Sequence, residues 1–213
     1  MFVSNSACFF GVLLVRLVVF LGVLLIAATP VLAETKMLSR FGVALYLPDN
    51  WRLLTPDELN AVDEADASEE LGANVVGRAQ LSQKMRGGGL ELIFNTKKVK
   101  NTQGFYDNIT LLETQDQVPE AASQIKSTCA ALPSLLSRTL GRSVQLTRCE
   151  GLNVQGYPAF VLSYPGDTAN THLIQYMLQL EQNRSLVLTL TYHDENPTAV
   201  SDFQTAIERL EVN

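Results

Sequence analysis

Residues 171–192 decide the fold, and they read THLIQYMLQLEQNRSLVLTLTY. Apolar and polar side chains alternate on both sides of a polar tip at residues 181–185, and a period of two is typical of half-buried strands. We therefore expect a β-hairpin at the centre of a sheet that the rest of the chain covers. Its apolar side carries His172, Ile174, Tyr176, Leu178 and Leu180 from one strand and Leu186, Leu188, Leu190 and Tyr192 from the other.

The segments around this hairpin add strands and a closing helix. Residues 144–154 predict a strand, and Tyr157–Tyr164 is apolar on both sides, which favours a central strand covered on both faces. After the hairpin, Asn196 or Thr198 is expected to cap a last helix. The apolar stripe of that helix is Val200, Phe203, Ile207 and Leu210.

The beginning of residues 34–213 predicts a strand, a bend and a helix. Phe41–Leu47 is the strand, and Trp51–Leu54 either returns antiparallel to it or continues beyond the bend. Trp51 is expected to close one end of the core, with a stacking platform as the functional alternative. Thr55, Pro56 and Glu58 have the chemistry of a helix start, which predicts a helix from Pro56 to about Ala65.

Two features in the next part of the chain invite a ligand hypothesis. Seven acidic residues and no base lie between Asp57 and Glu70, but a calcium-binding Asp-x-Asp-x-Asp-Gly loop is missing, so we expect a solvated segment. Asn74–Gln83 and Leu90–Lys97 predict two strands joined by a tip at Lys84–Gly89. The three glycines of this tip lack the spacing of a phosphate-binding loop.

The longest helical pattern covers Pro119–Leu140. Its apolar positions recur at intervals of three and four, Pro133 is expected to kink it, and Gly141 to end it. The stripe consists of Ala122, Ile125, Cys129, Leu132, Leu136 and Leu140.

The two cysteines after the leader predict a disulfide between Cys129 and Cys149. The helix travels ~16 Å from Cys129 to its end at 1.5 Å per residue, and the strand returns ~20 Å before it reaches Cys149. The two sulfur atoms therefore arrive at a similar height. A redox-active pair is the lesser alternative, because the Cys-x-x-Cys spacing is absent.

Residues 1–33 have the pattern of an export leader. Arg16 precedes an apolar run that ends in small residues, which predicts a signal peptide cleaved after Ala33. The alternative is a permanent N-terminal membrane anchor, because the apolar run is long enough to cross a bilayer. We expect an exported protein, periplasmic or thylakoid-lumen-like, or one tethered to the inner membrane and facing the periplasm if the leader is retained.

Composition limits the partners of residues 34–213, which are expected to form one domain. The whole chain has a net charge of −6, and the leader contributes one basic and no acidic residue, so the domain carries −7. This charge argues against nucleic acid or an anionic membrane surface as the main partner. No catalytic or cofactor motif occurs. His193, Asp194 and Glu195, with His172, are the one candidate metal site, although three adjacent residues cannot all converge on an ion.

Three segments carry a resemblance to a known family: FGVALYLPDNW at residues 41–51, GYPAF at residues 156–160 and LTLTY at residues 188–192. With the leader and the closing helix, they make the chain resemble the PsbP-like superfamily, which includes the DcrB-like periplasmic proteins. The resemblance implies an α+β domain in which helices flank an antiparallel sheet, an α/β/α sandwich. It also implies a non-catalytic accessory role beside membrane complexes.

We therefore expect an exported binding protein that is not an enzyme, uses no cofactor and interacts with an envelope or membrane-complex protein. Two alternatives belong to other classes. One is a metal-dependent enzyme built on the two histidines, and the other is a carrier that holds a small apolar molecule between sheet and helices. Dense packing of cores of this size argues against the carrier.

Overall fold

A computed structural model describes residues 34–61, 75–97 and 105–213, without the side chains of residues 59–61 and 75–80. The strands are β1 (Glu34–Leu38), β2 (Val43–Pro48), β3 (Trp51–Leu54), β4 (Leu90–Asn95), β5 (Asn108–Thr114), β6 (Arg148–Val154), β7 (Tyr157–Pro165), β8 (Thr171–Glu181), β9 (Arg184–His193) and β10 (Glu211–Val212). The helices are α1 (Pro56–Ala61), α2 (Val75–Arg86), α3 (Ala122–Leu140) and α4 (Pro197–Glu208).

The strands form two antiparallel sheets. The larger has seven strands in the order β3-β4-β5-β9-β8-β7-β6, and the smaller has three in the order β1-β2-β10. The predicted hairpin is confirmed as β8 and β9, which lie near the centre of the larger sheet. In its register, Ile174 faces Leu190 and Leu178 faces Leu186.

One face of the seven-stranded sheet carries the main core. The apolar side of the hairpin packs there against α4 and the three-stranded sheet. Leu186, Leu188 and Leu190 are fully buried, as is Phe203 of α4, whose ring meets that of Tyr176 edge to face at 5.7 Å. The period of two in the hairpin therefore arises because this face needs an apolar layer.

The opposite face is covered by two separate helices. Helix α3 lies over β6, β7 and β8, where Phe160, Leu162 and Tyr164 form a second core. Helix α2 covers β3 and β4 through Leu81 and Met85. Helices thus flank the antiparallel sheet on both faces, which confirms the predicted fold class.

Several local predictions are confirmed. At the start of α1, the Thr55 hydroxyl accepts a hydrogen bond from the backbone N–H of Glu58, whose carboxylate accepts one from the Thr55 N–H in return. Helix α3 ends at Gly141, which adopts the left-handed conformation with φ 66°. Asn196 is the N-cap residue of α4, but its side chain does not cap the helix.

The predicted strand at Asn74–Gln83 is wrong, because Val75–Arg86 forms helix α2. Leu81 and Met85, four residues apart, place one face of this helix on the sheet. The segment Lys84–Gly89 is consequently the end of this helix and not a hairpin tip. Gly88 has φ +76°, a conformation that glycine adopts at helix ends without strain.

The structure confirms that Trp51 is a core residue and decides between the two predictions for its strand. Strand β3 continues from the bend into the larger sheet, where it pairs with β4 and not with β2. Trp51 is 1% exposed and its indole Nε1 donates to Asp202 of α4 at 2.9 Å, so the ring belongs to the core and offers no stacking surface.

The leader and most of the acidic segment lie outside the described residues, so their predicted roles stay predictions. Within the described residues, no helix is both long and apolar enough to span a bilayer. Residues 34–213 group into one compact unit.

Strand β6 begins only at Arg148, four residues later than predicted, and β7 lies next to this edge strand and not at the sheet centre.

Candidate functional site

Helix α3 is attached to the sheet in an unusual way. None of its 19 residues is fully buried, although its inward stripe of Ile125, Cys129, Leu132, Leu136 and Leu140 contacts the second core. The predicted disulfide is present: Cys129 and Cys149 are bonded, with their Cα atoms 5.8 Å apart. A covalent bond to the edge strand β6 therefore supplements an incomplete apolar contact.

Gly151 of β6 sets how closely α3 approaches the sheet. A Cβ atom at this position would lie 2.4 Å from Cδ1 of Ile125, inside van der Waals contact. The missing side chain lets Ile125 fill the space above the strand. This close approach lies in the first third of α3. On the strand, Gly151 is two residues along β6 from Cys149 of the disulfide.

The loop before α3, residues 115–121, is fixed to the tip of the central hairpin. The Val118 N–H donates to the Gln179 side chain at 2.8 Å, and the Ser185 hydroxyl donates to the Asp116 carbonyl at 2.6 Å. Val118 itself is buried beside Phe160. This loop therefore forms a fixed wall, although it contains no regular secondary structure.

A groove of about 870 Å³ opens between this loop, the first half of α3 and the sheet. Phe160 and Leu162 of β7 and Met177 of β8 give it an apolar floor. Its walls carry uncharged polar side chains and two carboxylates: Gln117, Gln124, Ser127, Thr128, Gln175, Asp116 and Glu120. The volume lies within the ~300–1,000 Å³ range of ligand sites in proteins.

The chemistry of the groove suits binding better than catalysis. The described residues that line it include no histidine, cysteine, lysine or arginine. Ser127, a possible nucleophile, donates its hydroxyl to the Gln124 carbonyl at 2.9 Å, and none of the described lining residues is a histidine that could act as its base. The arrangement offers hydrogen bonds and apolar contact, which are the elements of recognition.

The predicted metal candidates lie elsewhere, at the end of β9. His172 Nε2 is 2.8 Å from the Asp194 carboxylate, and His193 Nδ1 accepts a hydrogen bond from the Glu195 N–H. His193 is buried, whereas Asp194 and Glu195 are exposed. Across residues 34–61, 75–97 and 105–213, no group of three such side chains is arranged to hold a metal ion.

Asp107, for which the sequence offered no signal, is a buried carboxylate beside His193. It is 1% exposed and accepts hydrogen bonds from the backbone N–H of His193 at 2.9 Å and from the Asn196 side chain. Burial raises the pKa of Asp107 above its ordinary value, and these two hydrogen bonds oppose the rise. The contacts join the segment before β5 to the start of α4, which is a structural role.

The raised pKa predicts a pH dependence of stability. The folded state binds the Asp107 proton more tightly than the unfolded chain does, because aspartates in an unfolded chain titrate at ~3.9. Protonation of Asp107 therefore contributes its full stabilisation below that pH. This stabilisation is lost as the pH rises through the pKa of Asp107 in the folded state. Relative to Asp107→Asn, the wild-type protein should therefore lose stability as the pH is raised above about 4. Urea denaturation of both proteins from pH 4 to pH 8 measures this difference, and a wild-type protein that gains stability over the variant as the pH rises would contradict the assignment.

The sequence carries a partial signal for the groove. Gln175, Met177 and Gln179 alternate on the second face of β8, which marks a face that is neither wholly apolar nor wholly solvated. The loop wall at residues 116–121 had no such signal, because its position depends on contacts with residues 179–185 that are distant in sequence.

No protein-family model and no curated protein sequence matches the chain. Several solved structures are similar in three dimensions, among them the following two. Cyanobacterial PsbP (CyanoP) from Synechocystis sp. PCC 6803 has a TM-score of 0.51 and 10% identity, over 87% of this chain and 96% of that one. The Ran-binding protein Mog1p from Saccharomyces cerevisiae has a TM-score of 0.50 and 9% identity, over 85% of this chain and 96% of that one. The chain therefore has the PsbP-like fold that its sequence motifs predicted.

Proposed function

We propose that this chain is a non-catalytic accessory protein that binds a segment of a partner protein in the groove beside α3. The observation that carries the proposal is the groove itself, with its apolar floor and uncharged polar walls. A helix on a sheet normally buries its inward stripe, and here Leu132 of that stripe lines the groove and is only partly buried. A bound segment would complete this packing.

The proposed partner is an envelope or membrane-complex protein in an exported space. The leader pattern of residues 1–33 and the disulfide support export, because disulfides persist in oxidising compartments. A precedent for protein binding on this fold is Mog1p, which is described as a Ran-binding protein. The chain would act in the periplasm or a similar lumen, either free or tethered through an uncleaved leader.

Site-specific photo-crosslinking in the cells that produce the protein tests this proposal. A photoreactive amino acid replaces Ser127 in the full-length chain, because Ser127 is exposed and lines the groove. The matched control carries the same group at Ser134, which is exposed on the same helix and does not line the groove. We expect an adduct with one envelope protein from position 127 and at least tenfold less from position 134.

The substitution Ser127→Arg tests the same proposal through loss of partner binding. The arginine side chain would project into the groove, so retention of the partner should fall at least tenfold, whereas Ser134→Arg should retain it. Both substitutions exchange the same exposed residue type within α3, so their effects on helix stability should be similar. Equal crosslinking from both positions, or equal retention by both variants, would refute the groove as the binding site.

The small-ligand carrier is a second candidate, favoured by the groove volume of about 870 Å³. The groove opens to solvent and its walls are polar, which suits an apolar cargo poorly. Native mass spectrometry of the protein purified from its own cells separates the two functions. A co-purified small molecule that Ser127→Arg abolishes would favour the carrier.

A further inference from the structure

We infer that the groove binds a cationic segment, in which a lysine or arginine is flanked by apolar residues. The inference rests on the proposed function and names the chemistry of the partner segment. Two carboxylates in the loop wall, those of Asp116 and Glu120, provide the charge complementarity.

Both carboxylates are available to a ligand. Asp116 is exposed and its carboxylate accepts a hydrogen bond from the Thr114 hydroxyl at 2.8 Å, which leaves its charge unneutralised. Glu120 is exposed as well. In the part of the chain that the structure describes, neither carboxylate forms an ion pair, whereas the nearby Glu113 is already paired with Arg184 at 2.7 Å.

Among the described residues that line the groove, positive charge comes only from the start of α3. A helix N-terminus carries about half of a positive elementary charge, and its effect is confined to the first turn. Two full negative charges from Asp116 and Glu120 exceed it. The groove therefore has a negative potential at the loop end, which attracts a cation and repels an anionic ligand.

The remaining lining fits the neighbours of that cation. Phe160, Leu162 and Met177 on the floor offer apolar contact, and the amides of Gln124 and Gln175 can bond to a peptide backbone, which carries both donors and acceptors. A segment with apolar residues on either side of a lysine or arginine would match the floor and the charged wall together.

Selection from random twelve-residue peptides displayed on phage tests the inference directly, whatever the identity of the partner. The bait is the full-length chain in mild detergent, and Ser127→Arg serves to remove clones that bind outside the groove. We expect the groove-dependent clones to be enriched in lysine and arginine over the input library. A synthetic peptide from the leading clone should bind the double variant Asp116→Asn, Glu120→Gln at least fivefold more weakly, and raised salt should weaken its binding to the wild type.

The matched control removes the same charge elsewhere. The double variant Glu195→Gln, Glu208→Gln loses two carboxylates that do not line the groove. It should therefore bind the synthetic peptide with an affinity within twofold of that of the wild type. Groove-dependent clones without cationic enrichment would overturn the cationic inference and leave the groove as a binding site. If every selected clone binds Ser127→Arg as well as the wild type, the groove assignment and this inference both fail.

Discussion

Phe203→Ala is expected to lower the free energy of unfolding by about 3–5 kcal/mol. Phe203 is fully buried between α4 and the sheet, and its ring contacts Tyr176 edge to face. Removing the ring leaves a cavity that the surrounding β-sheet cannot fill by collapsing. The lost stability therefore includes both the free energy of burying the ring and the contacts that its neighbours make with it.

Chemical denaturation measures this effect, and Thr205→Ala provides the control on the same helix. Thr205 is exposed, so its substitution should change stability by less than about 0.5 kcal/mol. The denaturant dependence of the unfolding free energy should stay the same for both variants, because the unfolded chains expose similar surface. A loss below about 1 kcal/mol for Phe203→Ala would contradict the assignment of α4 to the main core.

Removal of the disulfide by Cys129→Ser with Cys149→Ser is expected to cost about 2–4 kcal/mol. The bond closes a loop with a sequence separation of 20 residues, and it anchors a helix that has no fully buried side chain. Without it, α3 retains only half-buried contacts. Hydrogen exchange should therefore accelerate in α3 while the central hairpin keeps its protection.

Mass measurement provides an independent check of the same bond. Protein taken from its own compartment without reduction should lack the two thiol hydrogens of Cys129 and Cys149. Both thiols free in that sample, or uniform loss of hydrogen-exchange protection in α3 and the hairpin together, would contradict the predicted role of the disulfide.

The sequence was sufficient to predict the elements whose signals are local. The hairpin, the capping of α1 and the end of α3 at Gly141 follow from periodicity and from residue chemistry within a few positions, whereas α3 begins three residues later than predicted. The disulfide was also predicted correctly, although residues 143–147, to which the rise of a strand was applied, precede strand β6.

Elements that depend on distant contacts were not predicted. The residues of α2 include two β-branched valines, and only the packing of Leu81 and Met85 on the sheet distinguishes the helix from a strand. The three-stranded sheet requires β10 to pair with β2, a contact between opposite ends of the domain. The groove depends on a loop that is held by side chains some sixty positions away along the chain.

The pairing of β10 with β2 has a consequence for how the domain is made. Val212 faces Val43, and the N–H of Asn213 donates to the Gly42 carbonyl at 2.8 Å. A ribosome releases residues 211–213 long after residues 42–44, so the small sheet cannot close until this whole domain has been synthesised. Pairings across such long separations also slow folding, because the loop must close before the contact can form. Closure of the small sheet is therefore expected to be a late event in the folding of this domain, after the local hairpins have formed.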